Sequence, residues 1–240
     1  MTVEKPDIEL VDAGRLLGVG MYSVPEAARL TGVSADSIRR WLWGYRFRSR
    51  DGSSSHSKPL WKPQIPVIDS VKTLGFRDLV EIQFVDHFKK SGLSLQSIRG
   101  IIGHATDLVE QSYPLSSVKF KTDGRRVLAE MLGEAEQRLI FDLKTGQYLF
   151  SFYWDRLYDA LEYSAFEELL RWWPLGRDRR VLVDPKRNFG QPIVPEGVPT
   201  HVLANAAQAE GSAERAAHWY KVAVDSVRDA VEFERHLQAA

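Results

Sequence analysis

The stretch YSVPEAARLTGVSADSIRRW, residues 22–41, decides how the N-terminal part of this chain folds. Ser23 lies three residues before Glu26, which is the spacing of a capping box at the start of a helix. Within Thr31-Gly-Val-Ser, the glycine can end that helix and the serine can cap the next one. The spacing therefore predicts two short helices joined by a tight turn.

The second predicted helix has an apolar face and a basic face. Its apolar residues recur at helical spacing and are expected to face inward: Ile38, Trp41, Leu42 and Tyr45. This leaves Arg39, Arg40 and Trp43 on or near the outer face, as in a helix that enters a DNA major groove. An ordinary helical hairpin with solvated arginines is the alternative interpretation.

The residues after this helix concentrate positive charge. The whole chain has 32 basic and 32 acidic residues, yet Asp51 is the only acid between residues 39 and 62. We predict a basic β-hairpin wing here, because a turn-forming cluster, Asp51-Gly-Ser-Ser-Ser, is followed by an extended segment, Pro59-Leu-Trp-Lys. The wing is expected to neutralise phosphates; a solvated loop is the alternative. The candidate DNA-binding residues are Arg39, Arg40, Trp43, Arg46, Arg48, Arg50, Lys58 and Lys62.

Residues 21–102 resemble the winged helix-turn-helix domain of MerR-type regulators. The resemblance runs through Tyr22-Ser-Val-Pro-Glu-Ala-Ala, Thr31-Gly-Val-Ser and Ile38-Arg-Arg-Trp. It resumes at Gly75-Phe-Arg-Asp-Leu-Val-Glu-Ile and Ser91-Gly-Leu-Ser-Leu-Gln-Ser-Ile-Arg. The resemblance implies a winged DNA-binding domain. The long coiled-coil helix and effector domain of that family are not evident, and the sequence leaves open which element would dimerise.

Composition places the chain among globular, intracellular proteins. At 240 residues and 44% hydrophobic, it can bury a core and form two or three small domains. The chain has no cysteine, which favours a reducing cytoplasm, and no apolar run reaches the ~20 residues of a membrane span. We expect a flexible N-terminal arm over residues 1–19 and a first domain over 20–113.

The middle segment, residues 114–179, is predicted to be a small α+β unit. Val118-Lys-Phe-Lys and 138–142 are strand-like, 125–137 is helix-like, and Lys144-Thr-Gly predicts a hairpin leading into Gln147-Tyr-Leu-Phe. Ser164 and Glu167 are spaced to cap a helix that ends before Pro174. The dense aromatic residues between 151 and 173 indicate either a partner-binding surface or a core.

Residues 180–240 carry a second resemblance. Val-Asp-Pro, Phe189-Gly-Gln-Pro-Ile-Val and Val198-Pro-Thr precede three helix-like runs, at 200–209, 212–220 and 225–237. This arrangement is similar to a bacterial antitoxin domain of the VapB type, long described as a domain of unknown function, with a three-helix homeodomain-like core. The expected fold is thus mainly α with small β elements, ending in this domain.

Together the two resemblances imply an antitoxin of a type II toxin–antitoxin system. Such a protein binds a PIN-like ribonuclease toxin and, as a homodimer, its own operator DNA. An arginine placed among the acidic metal-binding residues of the toxin would inhibit it, because its guanidinium pairs with a carboxylate through two bonds. Five cations bracket the Val181-Leu-Val-Asp strand and are the candidate toxin-binding residues: Arg177, Arg179, Arg180, Lys186 and Arg187. Solvated surface charges are the alternative.

No enzymatic pattern stands out in the sequence. It lacks a Gly-x-Ser-x-Gly elbow, a phosphate-binding glycine loop and a His-Glu-x-x-His motif, and its six histidines have no metal-ligand spacing. We therefore expect no catalytic residues, metal or cofactor. Two other functions stay open: a free-standing transcription regulator with a ligand-sensing C-terminal region, and an adaptor whose C-terminal helices form a second DNA-contacting module.

Overall fold

The computed structural model describes residues 17–48, 52–132, 141–142 and 147–239. This part of the chain is mainly helical, and its strands form four separate two-stranded antiparallel pairs. The predicted fold class is confirmed. The predicted flexible arm lies almost entirely outside the described residues. No described helix combines the length and the apolar character that a membrane crossing requires.

The N-terminal unit is a helix-turn-helix followed by a hairpin. Strand β1 (Tyr22–Ser23) leads directly into α1 (Val24–Thr31), and α2 (Ala35–Trp43) follows the turn. Strands β2 (Tyr45–Arg48) and β3 (Ser54–Ser57) form the hairpin, and β4 (Thr73–Leu74) returns to pair with β1. The pairing of β1 with β4 closes this unit against the helices that follow.

Helix α3 (Phe76–Lys90) is the centre of the molecule, and α4 (Leu95–Val109) packs beside it. Nine residues of α3 are buried, including the carboxylates of Asp78 and Glu81. A helix buried on most sides contacts several neighbours at once. Helix α3 therefore connects the helix-turn-helix on one side with the middle segment on the other.

Helix α5 (Val118–Met131) corrects one prediction. Val118-Lys-Phe-Lys was expected to be a strand but forms the first turn of this helix. The hydroxyl of Ser117 accepts a hydrogen bond from the backbone N–H of Phe120 at 3.0 Å, which caps the helix. Phe120, Val127 and Leu128 are buried at helical spacing. The predicted helix at 125–137 is confirmed up to Met131, and residues 133–140 lie outside the described part.

The rest of the middle segment confirms one hairpin and overturns another prediction. Strands β5 (Phe141–Asp142) and β6 (Gln147–Tyr148) pair as predicted, although α6 (Leu149–Asp159) begins where the sequence indicated continued strand. The helix expected from the Ser164/Glu167 spacing is wrong, because β7 (Leu161–Tyr163) and β8 (Leu169–Trp172) form a hairpin there. The Ser164 hydroxyl accepts from the N–H groups of Phe166 and Glu168, both at 3.1 Å, so this serine stabilises the hairpin turn.

A continuous hydrophobic core runs from Tyr22 to Val183. The ring of Phe84 in α3 contacts the rings of Trp154 and Tyr158 in α6, with centroids 6.3 Å and 5.0 Å apart. Trp172 is also buried in this core. For these three aromatic residues of the middle segment, the core interpretation is correct. The domain boundary at 113/114 remains a sequence prediction, since the core includes residues from both sides of it.

The C-terminal part has a smaller core of its own. Isolated bridges join Trp172 to Val183, Leu182 to Ile193 and Ile193 to Pro199. Of the predicted Val181-Leu-Val-Asp strand, Leu182 and Val183 pair in this way and extend the β7–β8 hairpin. Three helices follow, α7 (Thr200–Glu210), α8 (Ala213–Tyr220) and α9 (Val224–Ala239), within one or two residues of the predicted ranges. They enclose a small cluster made mainly of alanine and valine side chains, and α9 also contacts α1.

Candidate nucleic-acid interface

Side-chain caps fix the helix-turn-helix at its start and at its turn. The Ser23 hydroxyl accepts from the Glu26 N–H at 3.3 Å, and the Glu26 carboxylate accepts from the Ser23 N–H at 2.8 Å. This confirms the predicted capping box. Gly32 ends α1 with φ 70°, and the Ser34 hydroxyl caps α2 by accepting from Ser37 N–H at 3.2 Å. Each prediction about this turn depended on local spacing alone, and each is confirmed.

The outer face of α2 carries two arginines in different situations. Arg39 is exposed and has no ion-pair partner among the described residues. Arg40 pairs with Asp36 at 2.9 Å, and its guanidinium lies 5.4 Å from the centroid of the Tyr45 ring. Arg40 is thereby turned toward the hairpin, whereas Arg39 is the arginine of this helix that is left available for a ligand.

Trp43 ends the same helix, but it is largely buried and packs against the hydrophobic core. The ammonium group of Lys72 is 5.1 Å from the centroid of its ring, a cation–π arrangement. The sequence analysis did not identify Lys72, because no local pattern connects it with α2. The tertiary fold adds this exposed cation to the end of the α2 face and covers part of the indole that was predicted to contact DNA.

The hairpin β2–β3 has one basic face and one aromatic face. Arg46 opposes His56, and Arg48 opposes Ser54, so their side chains share a face of the pleated pair. The rings of Tyr45 and Phe47 alternate to the other face, with centroids 5.8 Å apart. The predicted β-hairpin is confirmed, and the contact of its arginines with phosphates stays a prediction. Arg50 lies outside the described part of the chain.

The sequence predicted that Pro59-Leu-Trp-Lys forms part of the hairpin. In the structure this segment instead packs against the helices. The N–H of Leu60 donates to the carbonyl of Trp41 at 2.7 Å. Trp61 is buried, and its indole N–H donates to the Asp78 carboxylate at 2.9 Å. Hydrogen bonds from residues 60 and 61 to α2 and α3 therefore take the place of the predicted strand pairing with β2. The side chains of Lys58 and Lys62 are exposed.

Arg99 of α4 anchors the base of the wing. Its guanidinium donates to the carbonyl of Lys58 at 2.7 Å and to the hydroxyl of Ser57 at 3.3 Å. Tyr113 adds a hydrogen bond from its hydroxyl to the carbonyl of Lys62 at 3.3 Å. These contacts join residues far apart in sequence, so local pattern could not reveal them. They hold the wing at a fixed position relative to α4.

Two buried carboxylates of α3 organise the surrounding backbone. Asp78 accepts hydrogen bonds from the N–H groups of Gln64 and Gly75, both at 2.9 Å, and burial raises its pKa. Glu81 accepts from the N–H and hydroxyl of Ser116 at 2.8 Å and 2.7 Å. Burial raises the pKa of Glu81 to about 7, although these hydrogen bonds lower it. Both carboxylates thus fix the backbone of segments that pack against α3.

Most of the five predicted toxin-binding cations contact groups within the chain. Arg179 donates to the carboxylates of Asp229 and Glu232 in α9, and Arg180 donates to Ser226 in α9 and to Glu196. Arg177 donates to the carbonyls of Asp159 and Leu161, and Arg187 donates to the carbonyl of Pro195. Lys186 is exposed, and among the described residues only its backbone N–H has a partner, at Asp184. The arginines attach the segment at 177–187 to its neighbours.

No group of three or more histidine, aspartate or glutamate residues in the described part of the chain is arranged to hold a metal ion. Within the same part, the exposed basic side chains on and beside the helix-turn-helix are the most prominent functional feature: Arg39, Arg40, Arg46, Arg48, Lys58, Lys62 and Lys72. Such a surface can bind phosphates and present an arginine to base edges.

Comparison with known proteins agrees with this geometry. Residues 20–102 match a family described as "Putative DNA-binding HTH domain". The chain is 25% identical over 225 residues to the "Putative antitoxin VapB45" of Mycobacterium tuberculosis, with 89% of this chain and 93% of that protein covered. The chain is thus similar to a putative antitoxin over most of its length, and its N-terminal part matches a helix-turn-helix family.

A solved structure shares the fold. The crystal structure of Rv2018 from Mycobacterium tuberculosis matches with a TM-score of 0.70 at 24% identity, covering 90% of this chain and 99% of that one. The similarity extends through the helix-turn-helix, the middle segment and the C-terminal helices. The chain therefore has the overall architecture of a known fold, in which all three parts occur together.

Proposed function

We propose that the chain is the antitoxin of a type II toxin–antitoxin system, which neutralises a PIN-like ribonuclease toxin in the cytoplasm and represses its own operon. The observation that carries the proposal is a helix-turn-helix whose α2 exposes Arg39 and whose hairpin carries Arg46 and Arg48 on one face, in a chain similar to a putative antitoxin over 89% of its length. A helix-turn-helix with this charge arrangement fits operator DNA.

In DNA binding, α2 would act as the recognition helix of a MerR-like winged domain, in a homodimer on a palindromic operator. Arg39 would contact a base edge, and a bidentate arginine–guanine contact contributes about 1–3 kcal/mol of discrimination. Arg40 would be oriented by Asp36 and Tyr45. The hairpin residues and the exposed lysines would bind phosphates, which increases affinity for any sequence and makes it dependent on salt.

The DNA half of the proposal is tested by fluorescence anisotropy with the DNA upstream of the gene, at several salt concentrations. Arg39→Ala should reduce the preference for this DNA over a scrambled duplex, since it removes a base contact. Arg48→Ala should weaken both equally and lower the salt slope by about 0.9, one phosphate contact. Arg235→Ala, an exposed arginine of α9, is the matched control. Salt slopes that are equal in all three variants would contradict the assigned roles.

For the toxin, the proposed contact is the cationic segment that includes Arg177, Arg179, Arg180, Lys186 and Arg187. A cation inserted among the metal-binding carboxylates of a nuclease would compete with the metal and block entry of RNA. Lys186 is the exposed member whose side chain has no bound partner in the described chain, so it can engage a toxin without breaking an internal bond. The arginines would have to exchange their present partners.

The toxin half is tested by coexpression with the product of the neighbouring gene, measuring copurification and rescue of growth. Lys186→Ala should weaken rescue, and Lys221→Ala, an exposed lysine at the end of α8, serves as its control. A stoichiometric nuclease complex supports the antitoxin function. Operator binding that responds to a metabolite and to no coexpressed protein would instead identify a free-standing regulator.

A further inference from the structure

The segment at 186–190, here called the αL loop, presents an aromatic side chain to solvent in a strained backbone. Asn188, Phe189 and Gly190 have consecutive φ values of 46°, 53° and 81°. Glycine and asparagine enter this left-handed region readily, whereas a bulky side chain does so at a steric cost, so Phe189 is the strained residue of the three. Phe189 is nevertheless 73% exposed, and its ring therefore gains little from packing in return. Strain without compensating burial is typical of residues held for a ligand.

The αL loop is held by the first strand of the helix-turn-helix unit. The buried hydroxyl of Tyr22 donates to the carbonyl of Gly190 at 2.6 Å, and the N–H of Met21 donates to the carbonyl of Phe189 at 3.1 Å. A Cβ at position 190 would lie 2.2 Å from the Tyr22 hydroxyl, which is why glycine is required there. The loop is thus rigid before any partner binds.

The exposed part of the αL loop is basic and aromatic. Lys186, Asn188 and Phe189 are all exposed. The nearest acid in sequence, Asp184, is buried, and its carboxylate accepts from the Arg171 guanidinium at 3.0 Å and from the Lys186 N–H at 2.9 Å. That carboxylate is already compensated, so Lys186 gives the exposed tip of the loop a positive charge. Its complement is an apolar pocket rimmed by carboxylates.

We infer that Phe189 is the anchor by which this chain binds its protein partner, with Lys186 pairing to an acid at the rim of the pocket. The inference rests on the proposed function, which supplies the partner: a nuclease whose metal site is acidic. A preformed loop loses little conformational freedom on binding, and a central aromatic residue inserted in a pocket contributes a large share of affinity.

The test measures binding of the full-length chain to the neighbouring gene product, purified free of divalent metal so that its acidic cluster is intact but inactive. Phe189→Ala should weaken binding by about tenfold or more, as expected for a buried aromatic anchor. The matched control is Phe166→Ala, which removes another exposed phenylalanine, at the β7–β8 turn, and should leave affinity unchanged. Lys186→Glu should slow association, most strongly at low salt.

The outcomes separate this inference from the proposed function. If the wild-type chain binds the nuclease and Phe189→Ala binds equally well, the anchor is wrong while the antitoxin function stands. If the wild-type chain binds no nuclease, both are overturned. Operator affinity is measured in parallel without toxin, and a loss there for Phe189→Ala alone would identify the αL loop as a DNA contact and overturn the inference. Thermal unfolding confirms that each variant folds.

Discussion

Glu81 should make the stability of this chain depend on pH within a window that can be calculated. Its pKa is about 7 in the folded chain and 4.5 when unperturbed. Each pKa unit corresponds to about 1.4 kcal/mol, so ionising the buried group costs the folded state about 3 kcal/mol. Between pH 4.5 and 7 the unfolded chain has lost this proton and the folded chain keeps it. The contribution of Glu81 to stability therefore falls as pH rises through this window.

His87, on the same helix, has the opposite effect. Burial lowers its pKa from 6.5 to about 4, so the unfolded chain binds more protons than the folded chain between these values. Its contribution to stability rises with pH from about 4 to 6.5. The side chain is only partly buried, and solvent screening reduces the effect to about 2 kcal/mol or less. The two groups thus largely offset each other in the wild-type chain between pH 4.5 and 6.5.

The substitution Glu81→Gln removes the contribution of Glu81 and leaves that of His87. The amide oxygen can still accept from Ser116, but the group no longer titrates. From pH 4.5 to 7 the unfolding temperature of the variant should rise relative to that of the wild type. A difference of about 3 kcal/mol corresponds to about 6–12 °C in a domain of this size. Differential scanning calorimetry at closely spaced pH values measures it.

Matched variants sharpen the test. His87→Gln should show the reverse, a relative fall in unfolding temperature between about pH 4 and 6.5. Glu110→Gln, an exposed carboxyl at the end of α4, should follow the wild-type profile. If the pH profile of Glu81→Gln were parallel to that of the wild type from pH 4.5 to 7, Glu81 would not be titrating in this range, and the argument from burial would be refuted.

Three further predictions concern the wing, the αL loop and the core. Arg99→Met should lower DNA affinity by about tenfold, because the wing loses a charged hydrogen bond to the Lys58 carbonyl; unchanged anisotropy titrations would show that the anchor is dispensable. Phe189→Gly should raise the free energy of unfolding by about 1 kcal/mol in denaturant titrations, since glycine adopts φ 53° without strain and the exposed ring contributes little packing; a decrease would argue against strain. Gly124→Ala should destabilise the chain by about 1–3 kcal/mol despite its better helix propensity, because the added Cβ would lie 2.6 Å from the Trp154 ring; a higher unfolding temperature would contradict this.

Local chemistry was enough to predict the helix-turn-helix and the C-terminal helices. Ser23, Glu26, Gly32 and Ser34 act within their own turns, so their spacing carries the whole signal. The basic hairpin was predictable for the same reason, from turn residues and a run of arginines. The failures arose where one short pattern fits two structures: Ser117 caps a helix at a strand-like Val118-Lys-Phe-Lys, and Ser164 stabilises a hairpin turn where its spacing to Glu167 resembled a helix cap.

The sequence by itself determined the type of most elements, the basic charge of the wing and the absence of cysteine chemistry, since each depends on residue type and short-range spacing. Only the tertiary structure decided which cations remain available. Arg179 and Arg180 are joined to α9, Arg99 anchors the wing, and Lys186 and Arg39 stay exposed. A guanidinium binds whichever carboxylate or carbonyl the fold brings within about 3 Å, and spacing along the chain does not encode that proximity.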